Sequence, residues 1–493
     1  MFRGVLMHLV FFLLSNSYSS DSENVAEHNL IKHHGKVPRI AMQNYLLTVM
    51  QVEPTLEGLP IELRIHILFQ VQDLSSLRTL VFASPVYYQA YQLVRPELLQ
   101  LLLEASYDGL VDRADAVAAV RSRGLYAIEI SNRERIIALL DERRRSDEIR
   151  QLSISPAKIL PDQPADVDET IQLLRLHRMA SFLLEDYSRT AKRPEFIESA
   201  KWNDQILPLK LSTTEKRRFL RAFYRLQIYG NIFGPIEIPL NAEPPEKEND
   251  WSHQRGWDPS PPDTFSEEEV WRLFFATMAP WELEELCCFW LHCYTRWAAP
   301  YFEIAYSLLG RGVLFMSELP DAEIPPICRR YSDNDDLKIS QIESRESLAS
   351  MGPAFLVKIL REPDFLTRRN LVIANLSFWA HIFPEFWPHP NWDDTWALPL
   401  VYPADKFNFG TDVTGLRNLL DMTPLPYEKP NVAWRQLWLD KTLYSPEVFV
   451  DMFSYGDRAR RWDWGYVIWD DERLAQWGTP NMNEKFPGNV GGV

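Results

Sequence analysis

Between residues 59 and 94 the chain carries more apolar surface than one short helix can hide, and that limits what this region can fold into. The stretch 59–91 reads LPIELRIHILFQVQDLSSLRTLVFASPVYYQAY. Leu63, Ile67, Leu68 and Val71 recur at helical spacing and form one stripe, while Ile61, Ile65 and Phe69 form a second. A helix that is apolar on two sides must bury both, in its own domain or against a partner. Pro60 stands where a first helix would begin, since Pro suits the first helical position. Asp73 can cap a second helix, whose Leu77, Leu80 and Val81 point one way. Pro85 ends that helix, and Tyr87, Tyr91 and Val94 continue at helical spacing. Three short helices in about 40 residues make a unit too small to be very stable alone, which invites packing on neighbours.

The rest of the chain also reads as mainly α. Residues 114–120 and 133–145 are good helix formers with no Pro between Pro96 and Pro156. Residues 168–190 give an amphipathic helix with Ile171, Leu174, Met179, Leu183 and Tyr187 on one side. Residues 213–229 give another, with Arg217 and Arg218 expected on its outer face. Residues 241–264 hold five Pro among charges and read as a linker or a long surface loop. Helix returns at Phe265, with Ser266 as cap, and residues 352–361 look like a short packed helix. From residue 378 the chain is irregular and Trp-rich, with Trp379, Trp387, Trp392, Trp396, Trp434, Trp438, Trp462, Trp464, Trp469 and Trp477. Aromatics in such number either build a small core or line a groove, and the core is the favoured reading. The expected organisation is a leader at 1–41, a helical unit at 54–95, a helical region at 96–240, the Pro-rich segment 241–264, and a helical, Trp-rich region at 265–493.

The N-terminal unit resembles the F-box. The resemblance rests on Leu59-Pro60, Glu62-Leu63, Ile67-Leu68, Asp73-Leu74 and Leu77-Arg78-Thr79-Leu80, less than a tenth of the chain. Beyond them, Ala83-Ser84-Pro85-Val86-Tyr87-Tyr88 replaces the Cys/Ser-Lys-x-Trp stretch usual in that family. The closing Trp464-Gly465-Tyr466-Val467-Ile468-Trp469-Asp470 and Arg473-Leu474 with Trp477-Gly478 are similar to a large group of fungal proteins that carry such an N-terminal segment. The resemblance implies docking onto the Skp-type adaptor protein of a cullin-RING ubiquitin ligase, while the remainder recruits a protein substrate. The residues it implicates in partner binding are Leu59, Pro60, Ile61, Leu63, Ile65, Ile67, Leu68, Leu74, Leu77 and Leu80.

Composition and motif content favour an interaction protein over an enzyme. The net charge of −16 argues against holding nucleic acid by its phosphates. The best basic run, Arg143-Arg144-Arg145, lies in a Glu/Asp/Arg-rich helix and reads as a solvated face. Cys287, Cys288, His292 and Cys293 lack the second ligand pair of a structural zinc site, and buried free thiols are expected, with no metal and no cofactor. His389 with Asp393 and Asp394, the run Asp333 to Asp336, and Asp470-Asp471-Glu472 are acidic clusters that mostly serve as turns and caps. Neither a G-x-S-x-G elbow, an H-E-x-x-H pair nor a phosphate-binding G-x-x-x-x-G-K-[ST] loop occurs.

Location is contested within the sequence. Residues 1–20, MFRGVLMHLVFFLLSNSYSS, have the shape of a secretory signal peptide, with an apolar run too short to span a bilayer. Only four Cys, and Asn375-Leu376-Ser377 as the one glycosylation sequon, point to the cytoplasm or nucleus instead. Met42 offers an alternative start. The leading expectation is an intracellular adaptor without an integral membrane span. The alternatives are a secreted or organellar globular protein, or an enzyme whose site has no local signature.

Overall fold

A computed structural model of the chain describes residues 55–146, 149, 160–240, 265, 269–270, 273–315, 318–319, 342–376, 420–421, 423, 428–438 and 462–482. The leader, the Pro-rich segment 241–264, the cap at Ser266, Cys328, the clusters at 333–336 and 389–394, and Trp379, Trp387, Trp392 and Trp396 lie outside the described residues. The described residues are mainly helical, with no β-strand among them and no helix long and apolar enough to cross a membrane.

The chain divides into two compact units, Met1–Arg64 and Ile65–Val493. In the first, a 3-10 turn at Leu56–Gly58 is closed by Thr55, whose hydroxyl accepts from the Gly58 amide. Helix α1 spans Ile61–Phe69, so it starts in the first unit and ends in the second. Pro60 is not its first residue but stands just before it, where its carbonyl accepts from the amides of Leu63 and Arg64.

In the second unit, α2 (Leu74–Ala83) starts at Asp73, whose carboxylate accepts from the Ser75 and Ser76 amides at 2.9 Å, as the sequence implied. The next helix, α3 (Pro85–Tyr107), is far longer than the short third helix expected. It runs on through residue 95 and leaves helical geometry only at Val94. Pro96 accounts for the break, because its ring lacks an N–H and crowds the carbonyl four residues back. The long helix is held by an inward row of Leu98, Leu99, Leu102, Leu103 and Tyr107.

Helices α4 (Arg113–Arg121) and α5 (Arg133–Arg144) follow, then α6 (Val167–Thr190), α7 (Ser199–Lys201) and α8 (Thr213–Ile232). In α6, Leu174, Leu183 and Tyr187 of the stripe read from sequence are buried, but Ile171 and Met179 are only half-buried, and Leu173, Leu176 and Ala180 complete the core face instead. Ser212 and Glu215 form a reciprocal capping box at the start of α8. Then come α9 (Pro280–Leu309), α10 (Ile342–Ser350), α11 (Pro353–Arg361), α12 (Phe365–Ala374), α13 (Val432–Trp438) and α14 (Asp471–Trp477).

Helix α8 is the axis of this unit, packing on α4, α6, α9 and α11. It is buried nearly all round, with Phe219, Phe223, Tyr224, Leu226, Ile228 and Tyr229 all inside. A helix without a wet face needs neighbours on every side. Each such side chain removed from water contributes about 1.5–3 kcal/mol. Helices α8 and α9 pack together and both belong to the second unit. Phe219 and Phe223 of α8 meet Phe289 of α9, and Tyr187 of α6 stacks on Trp469 with ring centroids 5.4 Å apart.

Two glycines let backbone meet backbone where α8 is crossed by the α10–α11 connection. A Cβ on Gly230 would come within 2.8 Å of the backbone of Met351 and Gly352, and one on Gly234 within 2.2 Å of the Ser350 carbonyl. Neither contact can be relieved by turning a side chain. Gly230→Ala is expected to destabilise the protein by about 1–3 kcal/mol through overpacking, despite the higher helix propensity of Ala. Urea unfolding of the variant beside the parent measures it, and an unchanged midpoint would contradict the crossing described here.

Candidate functional site

The residues implicated in partner binding fall into three groups by exposure. Pro60 and Leu63 are exposed, Leu63 at 49%. Leu59, Ile61, Ile65, Ile67, Leu74 and Leu80 are half-buried. Leu68 and Leu77 are buried and serve the core. In the first unit, Arg64 holds the approach to α1 by donating from Nε to the Leu59 carbonyl at 2.8 Å. In the second unit, α2 and α3 present large apolar side chains that the sequence pattern did not single out as exposed. Phe82 is 74% exposed, with the Arg78 guanidinium over its ring, and Tyr88 and Leu93 are also exposed. A lone exposed apolar residue needs no explanation. Several on consecutive helices are the kind of surface a protein partner covers.

The largest cluster of ionisable groups lies elsewhere and is buried. Asp115 on α4 accepts from Arg143 of α5 through one oxygen and from Arg225 of α8, at 2.8 Å, through the other. Arg225 also donates to Glu282 of α9 at 2.8 Å. Arg221 donates to Glu282 at 2.7 Å and to both oxygens of Glu285. Arg218 Nε stands 3.6 Å from Glu285. The result is a row of alternating charge, Arg143–Asp115–Arg225–Glu282–Arg221–Glu285–Arg218, crossing four helices. Burial alone would push the Asp115 carboxyl up, but Arg143 and Arg225 outweigh it and hold it below the ordinary range. Burial acts likewise on Glu282, and Arg221 and Arg225 again prevail. The sequence reading placed Arg143 and Arg218 on solvated faces; both are buried and paired instead. Neither side chain could stay charged inside without such partners.

The row continues into the C-terminal segment. Arg218 donates to the carbonyls of Val467, Ile468 and Trp469 from one nitrogen and to that of Lys429 from the other. Glu284 of α9 accepts from Trp462 Nε1 at 2.8 Å and from the Tyr466 hydroxyl at 2.6 Å through one oxygen. Asn431 donates to the carbonyls of Tyr466 and Trp469. Trp434, Trp462, Trp464, Trp469 and Trp477 are all buried, so these aromatics form core and not an open groove. Asp470 precedes α14 and its carboxylate accepts from the Ser212 hydroxyl, while Asp471 accepts from the Val432 amide and from Arg435, which makes this acidic cluster a pairing device. Cys287, Cys288 and Cys293 lie buried on α9, where desolvation pushes the thiols of Cys288 and Cys293 up and away from thiolate chemistry. Among the described residues, no group of three or more His, Cys, Asp or Glu side chains is placed to hold a metal ion.

No family model matches the chain, and neither a curated protein nor a solved structure matches it significantly.

Two expectations follow from the buried groups. Arg225 bridges Asp115 and Glu282, so Arg225→Leu should cost about 3–5 kcal/mol by leaving buried carboxylates short of a partner. Chemical denaturation checks it; a loss under about 1 kcal/mol would mean that the row is dispensable. The second concerns pH. Burial lowers His177, hydrogen-bonded to Tyr224 at 3.0 Å, to about 4. Burial, with Arg296 adding to it, lowers His292 to about 3. The unfolded chain protonates these rings near pH 6.5, before the folded chain does. Stability therefore falls as pH drops below about 6.5 and goes on falling until the folded rings take up protons, by up to about 1.4 kcal/mol per pH unit for each ring. His177→Gln combined with His292→Gln should flatten the stability profile between pH 7 and 5. A slope unaltered in the double variant would rule these rings out as its source.

Proposed function

We propose that this protein is an interaction adaptor whose F-box-like segment docks onto a Skp-type adaptor protein, with the remainder recruiting a protein substrate for a cullin-RING ubiquitin ligase. The observation that carries the proposal is Leu63, a large apolar side chain left 49% exposed on α1, within the Leu59-Pro60, Glu62-Leu63 opening that resembles the F-box. Exposed Phe82 on α2 supports it, since α2 is the second helix of the same stretch. The succession of three helices, α1, α2 and α3, along this stretch supports the reading. The core supports a scaffolding role as well. Among the described residues, Asp115, Arg225 and Glu282 are spent on packing helices together, and Trp434, Trp462, Trp464, Trp469 and Trp477 are buried.

Desolvating a leucine or phenylalanine at an interface contributes about 1.5–3 kcal/mol, a change of ten-fold or more in affinity. Leu63→Asp and, separately, Phe82→Asp are therefore expected to weaken binding of a Skp-type adaptor at least ten-fold. Both side chains are exposed, so helical content and unfolding midpoint should stay at parent values. Titration of the purified full chain with the adaptor, followed by calorimetry or pull-down, measures it. Failure of the parent chain to bind, or parent-like binding by both variants, would end the proposal.

A further inference from the structure

The chain's one glycosylation sequon, Asn375-Leu376-Ser377, has its acceptor inside the fold. Asn375 caps the end of α12 and is 3% exposed. Its side-chain amide has two N–H groups and one carbonyl, and all three are used. Nδ2 donates to the Ile238 carbonyl at 3.0 Å and to the Leu371 carbonyl at 2.8 Å. Oδ1 accepts from the Ile238 amide at 2.7 Å. The amide thus imitates a peptide partner for Ile238 and clasps the segment after α8 to the last turn of α12. Leu376 beside it is buried too.

N-glycosylation joins the anomeric carbon of a lipid-pyrophosphate-linked oligosaccharide to Nδ2, releasing the lipid pyrophosphate and one amide proton. It consumes one of the two N–H groups that the clasp requires. It also places a bulky, water-seeking sugar where the side chain has no open surface, and such sugars belong on exposed loops. Losing one partner leaves a buried carbonyl unsatisfied.

We propose that this fold and an N-glycan at Asn375 exclude one another, so that the functional chain folds where the sequon is not modified. That bears on the conflict between the signal-like residues 1–20 and the adaptor reading, and it favours the latter without depending on it. A chain entering the secretory route meets the transferase before it folds, with Asn375 in reach.

The test leads the full chain into the endoplasmic reticulum of cultured cells behind a heterologous signal peptide, beside Ser377→Ala. That substitution abolishes the sequon and leaves the Asn375 amide intact. Gel filtration and limited proteolysis separate native from misfolded material, and the endoglycosidase mass shift reads occupancy. The glycan at Asn375 is expected to be absent from the native fraction, and where the sequon is occupied Ser377→Ala should raise native yield several-fold. A native, protease-resistant fraction carrying the glycan would overturn the proposal. A cell-free arm decides the matter even if neither form folds in that compartment. Folded chain from a host without N-glycosylation, and a synthetic peptide of residues 368–382, are offered to an oligosaccharyltransferase with its lipid-linked donor. No transfer into the folded chain is expected, with the peptide as the competent acceptor. Transfer into the folded chain overturns the proposal.

Discussion

The helical body depends on a row of buried opposite charges. Arg143, Asp115, Arg225, Glu282, Arg221, Glu285 and Arg218 come from α5, α4, α8 and α9, and each is dehydrated by the others' helices. Removing ions from water is expensive, and only close, hydrogen-bonded partners offset it. The row therefore acts less as a source of stability than as a constraint on arrangement, because any shift of α8 along α9 would strand charges inside. It also ties together parts of the sequence that lie on either side of residues 241–264. Arg225 and Glu282 are 57 positions apart and share one bond pair at 2.8 Å.

The same logic extends to the C-terminal segment. Arg218 holds four backbone carbonyls, two of them on Ile468 and Trp469, while Glu284 holds Trp462 and Tyr466. Gly465 is the place where the chain turns tightly enough for this. Its φ is +69°, and a Cβ there would lie 2.4 Å from the Tyr187 hydroxyl. The Trp-rich closing stretch is thus locked onto α8 and α9 by buried polar groups as well as by ring packing.

Local signals were legible in the sequence. The period of apolar residues marked α6 as a helix and three of its core residues, Leu174, Leu183 and Tyr187; Asp73 announced the start of α2, and the short helix near residues 352–361 was visible from its composition. Non-local pairing was not legible. Nothing adjacent to Arg218 or Arg143 reveals that a carboxylate waits in the core, since Glu285 and Asp115 are distant in sequence. The capping box of Ser212 and Glu215, which starts α8, is a local pattern that could have been found. The length of α3 was missed because the reading stopped at Val94, whereas the leucines beyond Pro96 are buried and carry the helix on through the kink. In residues 59–81, the apolar stripes said which residues seek burial but not which of them the chain itself would cover. Leu68 and Leu77 went inward while Leu63 stayed out.

On the proposal above, the large apolar side chains left out on α1 and α2 hold one protein while the remainder presents another. The most direct measurement of that account is amide hydrogen exchange on the full chain, alone and with a Skp-type adaptor. The account predicts that amides of α1 and α2, from Ile61 to Ala83, exchange more slowly in the complex, while those of α8 and α9 are equally protected with and without it. Unchanged exchange across α1 and α2 in the presence of saturating adaptor, or protection that builds up only in α8 and α9, would contradict it.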